Sequence, residues 1–267
     1  MKRIAWILLL APLLITACAP NNVREEKSWE KYFTQHKVEG CFMLFDNSKG
    51  LFKVYNLERA KERFLPASTF KIFNSLVGLE TGAIKDTGMV IKWDGITRSV
   101  PEWNQDLSMR EAFRVSAVPY YQEVARRIGK PTMQKWLDSV KYGNMKISSI
   151  DTFWLDNSLK ISPDEELGFV KQLYFDQLPF HKITMQWVRS VMLMEKTDKY
   201  ELSYKTGWGI AGPKEIGWVT GWVEENGRPT FFVLNFESED PDIEMRNVRM
   251  SILKGILQEE GYFEGMK

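Results

Sequence analysis

The sequence predicts an α+β domain whose sheet is assembled from both ends of the chain. Three observations predict it. Strand-like segments fall near the N-terminus and again in the last third, and the stretch between them is helical by period and by capping. With 44% apolar residues and ten tryptophans, the chain can bury a sizeable core as one large domain or two intimately joined lobes. The two ends then lie adjacent in the sheet, and the middle forms an inserted helical lobe.

The early strands are 39–47 and 51–55, joined by the turn Asn47-Ser48-Lys49-Gly50. From Pro66 to Gly82 the pattern becomes helical. Phe70, Phe73 and Val77 recur at helical spacing, Ile72, Leu76 and Leu79 occupy another face, and Gly82 is the stop signal. A helix that is apolar nearly all round is a buried one. Ser108 with Glu111, and Ser162 with Pro163 and Glu165, form capping boxes at two later helix starts. Gly129-Lys130-Pro131 separates two further helical stretches, and 142–162 reads as a loop holding Phe153 and Trp154. Residues 201–210, 215–224 and 229–236 read as a meander, the last two strands joined through Asn226-Gly227. A closing helix runs from about Asp242 to Glu260.

The N-terminus predicts export. Lys2 and Arg3 precede an apolar run from Ile4 to Ile15 that is interrupted by Pro12, too short to span a bilayer, and followed by Thr16-Ala17-Cys18. Residues 1–17 are therefore read as a signal peptide. Ile15-Thr16-Ala17-Cys18 resembles a lipobox, which makes Cys18 a candidate for lipidation and membrane anchorage; the alternative is ordinary cleavage near Ala17 or Ala19. Residues 18–27 are expected to be a polar tether and 28–267 the functional domain. Loss of the signal removes two bases and no acid, taking the formal net charge from +1 to −1. That balance gives no reason to expect nucleic acid as a partner. Cys41, in an apolar run, is expected to be a buried small hydrophobe. With only His36 and His181, neither a zinc site nor a Ser-His-Asp triad is expected.

The chemistry concentrates in four short motifs. Ser68-Thr69-Phe70-Lys71 places a hydroxyl and an amine three residues apart, on one helical face. A lysine can activate that serine only if burial lowers its pKa. Lys205-Thr206-Gly207-Trp208 sits on the first strand of the meander. There Lys205 supplies a fixed positive charge, Gly207 lets the strand approach a substrate, and the Trp208 N–H could help form an oxyanion hole. Ser116-Ala117-Val118 offers a hydroxyl for proton relay or substrate contact, or else a helix cap. Tyr142-Gly143-Asn144 by itself is a turn.

In that order and spacing, the series S-x-x-K, S-x-V, Y-G-N, K-T-G resembles the class D (oxacillinase-type) serine β-lactamases of the penicillin-recognising superfamily. The resemblance covers essentially the whole mature chain. It implies a transpeptidase-like fold: an antiparallel sheet flanked by N- and C-terminal helices, with an inserted all-helical lobe. It also implies β-lactam substrates, acylation of Ser68, and N-carboxylation of Lys71 by carbon dioxide or bicarbonate, with no other cofactor. Trp154 would donate to the carbamate, and Val118 and Leu155 would cover it. Lys205, Thr206 and Arg246 would hold the substrate carboxylate, with Gly207 and Trp208 beside it. A periplasmic location follows from the signal. Class A is disfavoured because Ser116-Ala117-Val118 replaces S-D-N. A penicillin-binding transpeptidase or carboxypeptidase, and a β-lactam sensor domain that stays acylated, are the alternatives.

Overall fold

The computed structural model describes residues 22–267; the expected signal, the lipobox and Cys18 lie outside the described residues. The strands are β1 (Val23–Glu25), β2 (Glu39–Asp46), β3 (Leu51–Tyr55), β4 (Val90–Ile91), β5 (Leu107–Ser108), β6 (Leu193–Lys196), β7 (Glu201–Ala211), β8 (Lys214–Glu225) and β9 (Arg228–Ser238). The helices are α1 (Glu30–Gln35), α2 (Leu57–Lys61), α3 (Lys71–Glu80), α4 (Met109–Arg114), α5 (Val118–Ile128), α6 (Lys130–Val140), α7 (Pro163–Tyr174), α8 (Lys182–Met192) and α9 (Met245–Glu259).

The ends of the chain meet where β2 pairs antiparallel with β9, from Glu39↔Glu237 to Asp46↔Thr230. This pairing sits near the middle of a seven-stranded sheet ordered β1-β3-β2-β9-β8-β7-β6. β2 has to be apolar on both sides. Phe42 and Leu44 face the layer of α1 and α9, while Cys41, Met43 and Phe45 face the layer toward the helical lobe. Cys41 is a core residue, and burial pushes its thiol up to about 12. On the outer face, Trp29 and Phe33 meet Ile252, Leu253 and Ile256 of α9, so the N- and C-terminal helices cover one side of the sheet together.

The structure corrects three expectations. The polar tether is too long by several residues, because Val23–Glu25 adds an edge strand parallel to β3 and the Glu26 N–H donates to the Val54 carbonyl at 2.8 Å. All three residues of β1 are exposed, so no apolar alternation marks the strand. The sheet is consequently antiparallel except at this edge. The inserted lobe is also not purely helical: β4 and β5 pair across the long 81–108 segment, which holds a short 3₁₀ turn at Pro101–Trp103.

The helix expected from Pro66 begins as a 3₁₀ turn, Ala67–Phe70, and continues as α3. Every residue from Lys71 to Leu79 is buried, as its all-round apolar pattern requires. Asn226 and Gly227 both take positive φ, the geometry of a type I′ hairpin between β8 and β9. Both capping boxes form. At the start of α7 the Ser162 hydroxyl accepts from the Glu165 N–H, and the Glu165 carboxylate accepts from the Ser162 N–H at 2.9 Å. Among the described residues, no helix is long and apolar enough to cross a membrane.

Ser162→Ala removes one half of the α7 box while Arg63 still holds Glu165. The expected cost is about 1 kcal/mol of unfolding free energy, read by urea denaturation, with kcat unchanged.

Candidate active site

Ser68 lies in the 3₁₀ turn that precedes α3, and the turn is tensioned. Ala67 adopts φ 49°, a left-handed conformation uncommon for a residue with a side chain. Three bonds over-determine it. The Ala67 N–H donates to the Trp154 carbonyl at 3.1 Å, and the Thr69 N–H and hydroxyl both donate to the Pro66 carbonyl, at 3.1 and 2.9 Å. Such local strain is held where position matters. The result is a serine at the mouth of a pocket with its lysine wholly enclosed behind it.

Lys71 Nζ stands 2.6 Å from Ser68 Oγ. Its other close neighbour is the Tyr121 ring, 5.6 Å from Nζ to the centroid. No carboxylate balances it, and burial alone lowers its pKa to about 7. A neutral amine at this distance can accept the serine proton. Trp154, in the loop after Tyr142-Gly143-Asn144, is fully buried and stacks on Phe70 with ring centroids 5.3 Å apart. Its indole N–H has no acceptor, which is a rare and costly state for a buried donor.

The opposite wall combines β7 with the turn after α4. The Lys205 ammonium donates to Ser116 Oγ and to the Thr206 carbonyl, both at 3.0 Å. Ser116 itself sits at φ 57°, and the preceding Val115 carbonyl accepts from the Trp103 indole at 3.0 Å. Ser116 thus follows a helix end and caps no helix start, because α5 is capped by Ala117. Val118 opens α5 and is half-buried; Leu155 is half-buried against the lobe core. The glycines of β7 answer a different need from the one expected. A Cβ on Gly207 would lie 3.0 Å from the Pro66 carbonyl and 3.2 Å from Thr69 Cγ2, so glycine lets the strand press on the nucleophile's turn. Trp208 is half-exposed, its indole N–H donating to Glu215 at 2.7 Å. Beyond Ser203 the outer edge of β7 has no partner strand among the described residues, since β6 pairs only with 201–203.

Burial, then Lys71, then Arg249 push the Lys205 pKa well down, so the pocket opposes the positive charge that the sequence assigns to it. One correction concerns charge. Arg246 is not the arginine of the site, for it is exposed on the solvent side of α9. Three residues on, Arg249 faces the sheet, nine-tenths buried, and its NH1 donates to the Gly207 carbonyl at 3.0 Å. Its Nε has no partner. Burial and the nearby Arg246 lower its pKa only to about 10, so Arg249 remains charged at neutral pH.

Tyr142-Gly143-Asn144 closes the base of the Trp154 loop. Gly143 has φ 55°, and a Cβ there would meet the Lys160 carbonyl at 2.1 Å; the Asn144 side chain accepts from the Lys160 N–H at 3.0 Å and donates to the Ser158 carbonyl at 2.8 Å. Tyr121, Trp103, Arg249 and the buried Glu166, which accepts from the Tyr142 hydroxyl at 2.9 Å, complete the surroundings. Sequence patterning does not single them out, although three residues from Arg246 on the same helix was a visible place to look for a second arginine.

A serine whose proton a neutral amine can accept, facing a wall of basic side chains, is suited to acyl transfer from an anionic substrate. The chain matches the penicillin binding protein transpeptidase domain over residues 25–258. It is 38% identical over 255 residues to beta-lactamase OXA-48 of Klebsiella pneumoniae, an alignment covering 95% of this chain and 96% of that one. The crystal structure of class D beta-lactamase from Sebaldella termitidis superposes with a TM-score of 0.86 at 34% identity, covering 90% of this chain and 98% of that one. The C-terminal domain of the Bacillus licheniformis BlaR penicillin-receptor gives a TM-score of 0.85 at 31% identity, covering 90% and 97%. By the domain match and by relatives of this similarity and coverage, the chain belongs to the penicillin-binding transpeptidase family and, within it, to the class D serine β-lactamases.

Proposed function

We propose that this enzyme hydrolyses β-lactam antibiotics through an acyl-enzyme on Ser68, with an N-carboxylated Lys71 as general base for acylation and deacylation. Two observations support the mechanism: the Lys71 amine is buried and its pKa lowered by that burial, and the Trp154 indole, stacked on the adjacent Phe70, has an N–H without an acceptor. A buried amine that is neutral near pH 7 is nucleophilic toward carbon dioxide. A carbamate on it would give the indole donor an acceptor, so the residues present fit the group. When bound, the carbamate supplies an anionic oxygen base.

The chain's own groups supply the rest. Arg249, Lys205 and Thr206 hold the substrate carboxylate, whose negative charge would raise the lowered pKa of Lys205. The N–H groups of Ser68 and Trp208 receive the developing oxyanion. Ser116, bonded to Lys205, relays a proton to the departing lactam nitrogen, and Val118 and Leu155 limit bulk water over Lys71. We further propose that the enzyme is exported to the periplasm, with Cys18 lipidated. Cys18→Ser is then expected to move the protein from the membrane to the soluble fraction; a wholly soluble wild type would remove the lipid anchor and leave the enzymatic reading intact.

The similarity to a penicillin-receptor domain supports one rival, a sensor that is acylated once and stays so. Purified protein mixed with a chromogenic cephalosporin is expected to give many turnovers; a single equivalent of product would favour the sensor.

Arg249→Ala is expected to lower kcat/KM for penicillins by roughly one to three powers of ten, as charge-assisted hydrogen bonds of about 1.5–3 kcal/mol imply. Arg246→Ala should leave kcat/KM within about threefold, the scale of a surface substitution. The reverse ranking in steady-state kinetics would return the carboxylate to Arg246.

The base is tested by separating its two steps. Ser68→Ala abolishes covalent capture, whereas Lys71→Ala loses turnover yet lets any slowly formed acyl-enzyme persist for mass spectrometry. Trp154→Phe deletes the donor and should give a burst that stalls, partly restored by bicarbonate. Because the Lys71 pKa is lowered to about 7, protonation below that value removes the neutral amine, so wild-type activity falls as pH drops and bicarbonate opposes the loss. Full activity of degassed wild type at neutral pH, together with normal turnover by Trp154→Phe, would make the free Lys71 amine the base.

A further inference from the structure

Behind the nucleophile's turn, on the side away from the pocket, lies a carboxyl group that the reaction does not use. Glu166 occupies the first turn of α7 and is fully buried. Its Oε2 accepts from the Tyr142 hydroxyl at 2.9 Å, while Oε1 has no hydrogen-bond partner. The Thr69 side chain adjoins both Glu166 and Tyr142. In the structure the Thr69 hydroxyl is committed to the Pro66 carbonyl, the bond that closes the turn in front of Ser68.

No cation serves this carboxyl. The titratable groups facing it are Tyr142, from the turn before the Trp154 loop, and Glu165, from its own helix. Glu165 is engaged by Arg63, and Lys71, the titratable residue of the nucleophile's helix, faces Ser68. The remaining neighbours of Tyr142 are the rings of Phe70, Phe73 and Phe169. A carboxylate sealed among aromatic rings with no counter-charge is strongly disfavoured against its neutral form. Burial accordingly lifts the Glu166 pKa from 4.5 to about 7.

We propose that Glu166 is a positioning residue for the reaction: as a neutral carboxyl group it leaves the Thr69–Pro66 bond intact, and when it ionises it draws the Thr69 hydroxyl away and loosens the turn that carries Ser68. The charge would need donors; Tyr142 already donates, and the other hydroxyl beside the carboxyl is that of Thr69, which would have to leave the Pro66 carbonyl to reach it. Pro66 and Thr69 are also the groups on which Gly207 of β7 rests, so a shift there reaches both walls of the pocket. The inference takes Ser68 as the nucleophile, as assigned above, but half of its test needs no substrate.

The sign of the stability effect follows from linkage. A carboxyl whose folded pKa lies above its unfolded value of 4.5 keeps its proton longer in the folded state, so wild-type stability falls as pH rises from about 4.5 through about 7 and stays low above that. Glu166→Gln keeps the shape and cannot ionise. Its Tm is expected to gain on wild type across that window and to hold the gain at alkaline pH. In a wild-type kcat profile for a penicillin, the alkaline fall should begin near the Glu166 pKa; one unit above it about a tenth of the enzyme keeps the proton, so Glu166→Gln is expected to exceed wild type by up to roughly tenfold there, with KM little changed. Infrared difference spectra should show a protonated-carboxyl band at neutral pH that titrates away and is absent from Glu166→Gln. Tyr142→Phe removes the one donor to Glu166 and should move both the band and the alkaline fall to higher pH, which keeps the proposal testable if Glu166→Gln folds poorly. Superimposable kcat profiles for wild type and Glu166→Gln, or no protonated-carboxyl band, would overturn the proposal; a Tm difference with unchanged kcat profiles would make Glu166 a packing residue only. If the enzyme proved to acylate once without turnover, the Tm and infrared measurements would still decide the protonation of Glu166.

Discussion

The site depends on one constraint: an amine must be kept in the protein interior without a counter-charge. Lys71 meets it because α3 is buried on every side, and because what surrounds the amine is a serine hydroxyl and an aromatic ring. An aspartate or glutamate beside it would have stabilised the ammonium and ended its use as a base. The helix that carries it is accordingly apolar all round. Its first turn is 3₁₀, with Thr69 tied back to Pro66, which brings Ser68 and Lys71 onto one side.

The same electrostatics shapes the facing wall. Lys205 lies near Lys71 and Arg249, and desolvation followed by their repulsion lowers its pKa, while burial and then Arg246 lower that of Arg249. Such a wall is poised for an anion: a bound carboxylate relieves the repulsion that the empty site maintains. Arg249 keeps its charge and leaves Nε without a partner, whereas Lys205 is bound to Ser116, through which a proton can move. Position on the wall therefore assigns different tasks to two basic residues.

Rigidity comes from groups that brace the Ser68 turn and its neighbours. Trp154 contributes its carbonyl to Ala67 and its ring to Phe70, and the Tyr142-Gly143-Asn144 clasp holds its loop through Lys160 and Ser158. Trp103 steadies the Val115 carbonyl next to Ser116. The missing Cβ atoms of Gly207 and Gly209 let β7 lie directly against Leu65, Pro66, Ala67 and Thr69. Loop, lobe and sheet thus converge on five residues, which is how a strained Ala67 is retained.

Much of this was legible in the chain itself, for local reasons. The continuous apolar run of β2, the Asn226-Gly227 hairpin, the two capping boxes and the all-round apolar α3 are each encoded within about ten residues, and all are present. Ser68, Lys71, Ser116 and Lys205 come together as their motifs imply, because helical spacing sets the first pair and strand β7 carries the last. What the sequence could not decide depends on which side of an element meets a distant partner. Arg246 and Arg249 are both basic residues on α9, and only the packing of α9 on the sheet turns one to solvent and the other to Gly207. The edge strand β1 has no apolar signature, and its existence rests on the backbone groups of β3 being open to it. The lowered pKa of Lys205 and the isolation of Glu166 are likewise tertiary facts, since a pKa is set by what packs around the group, and the chain brings those neighbours from residues scores of positions away.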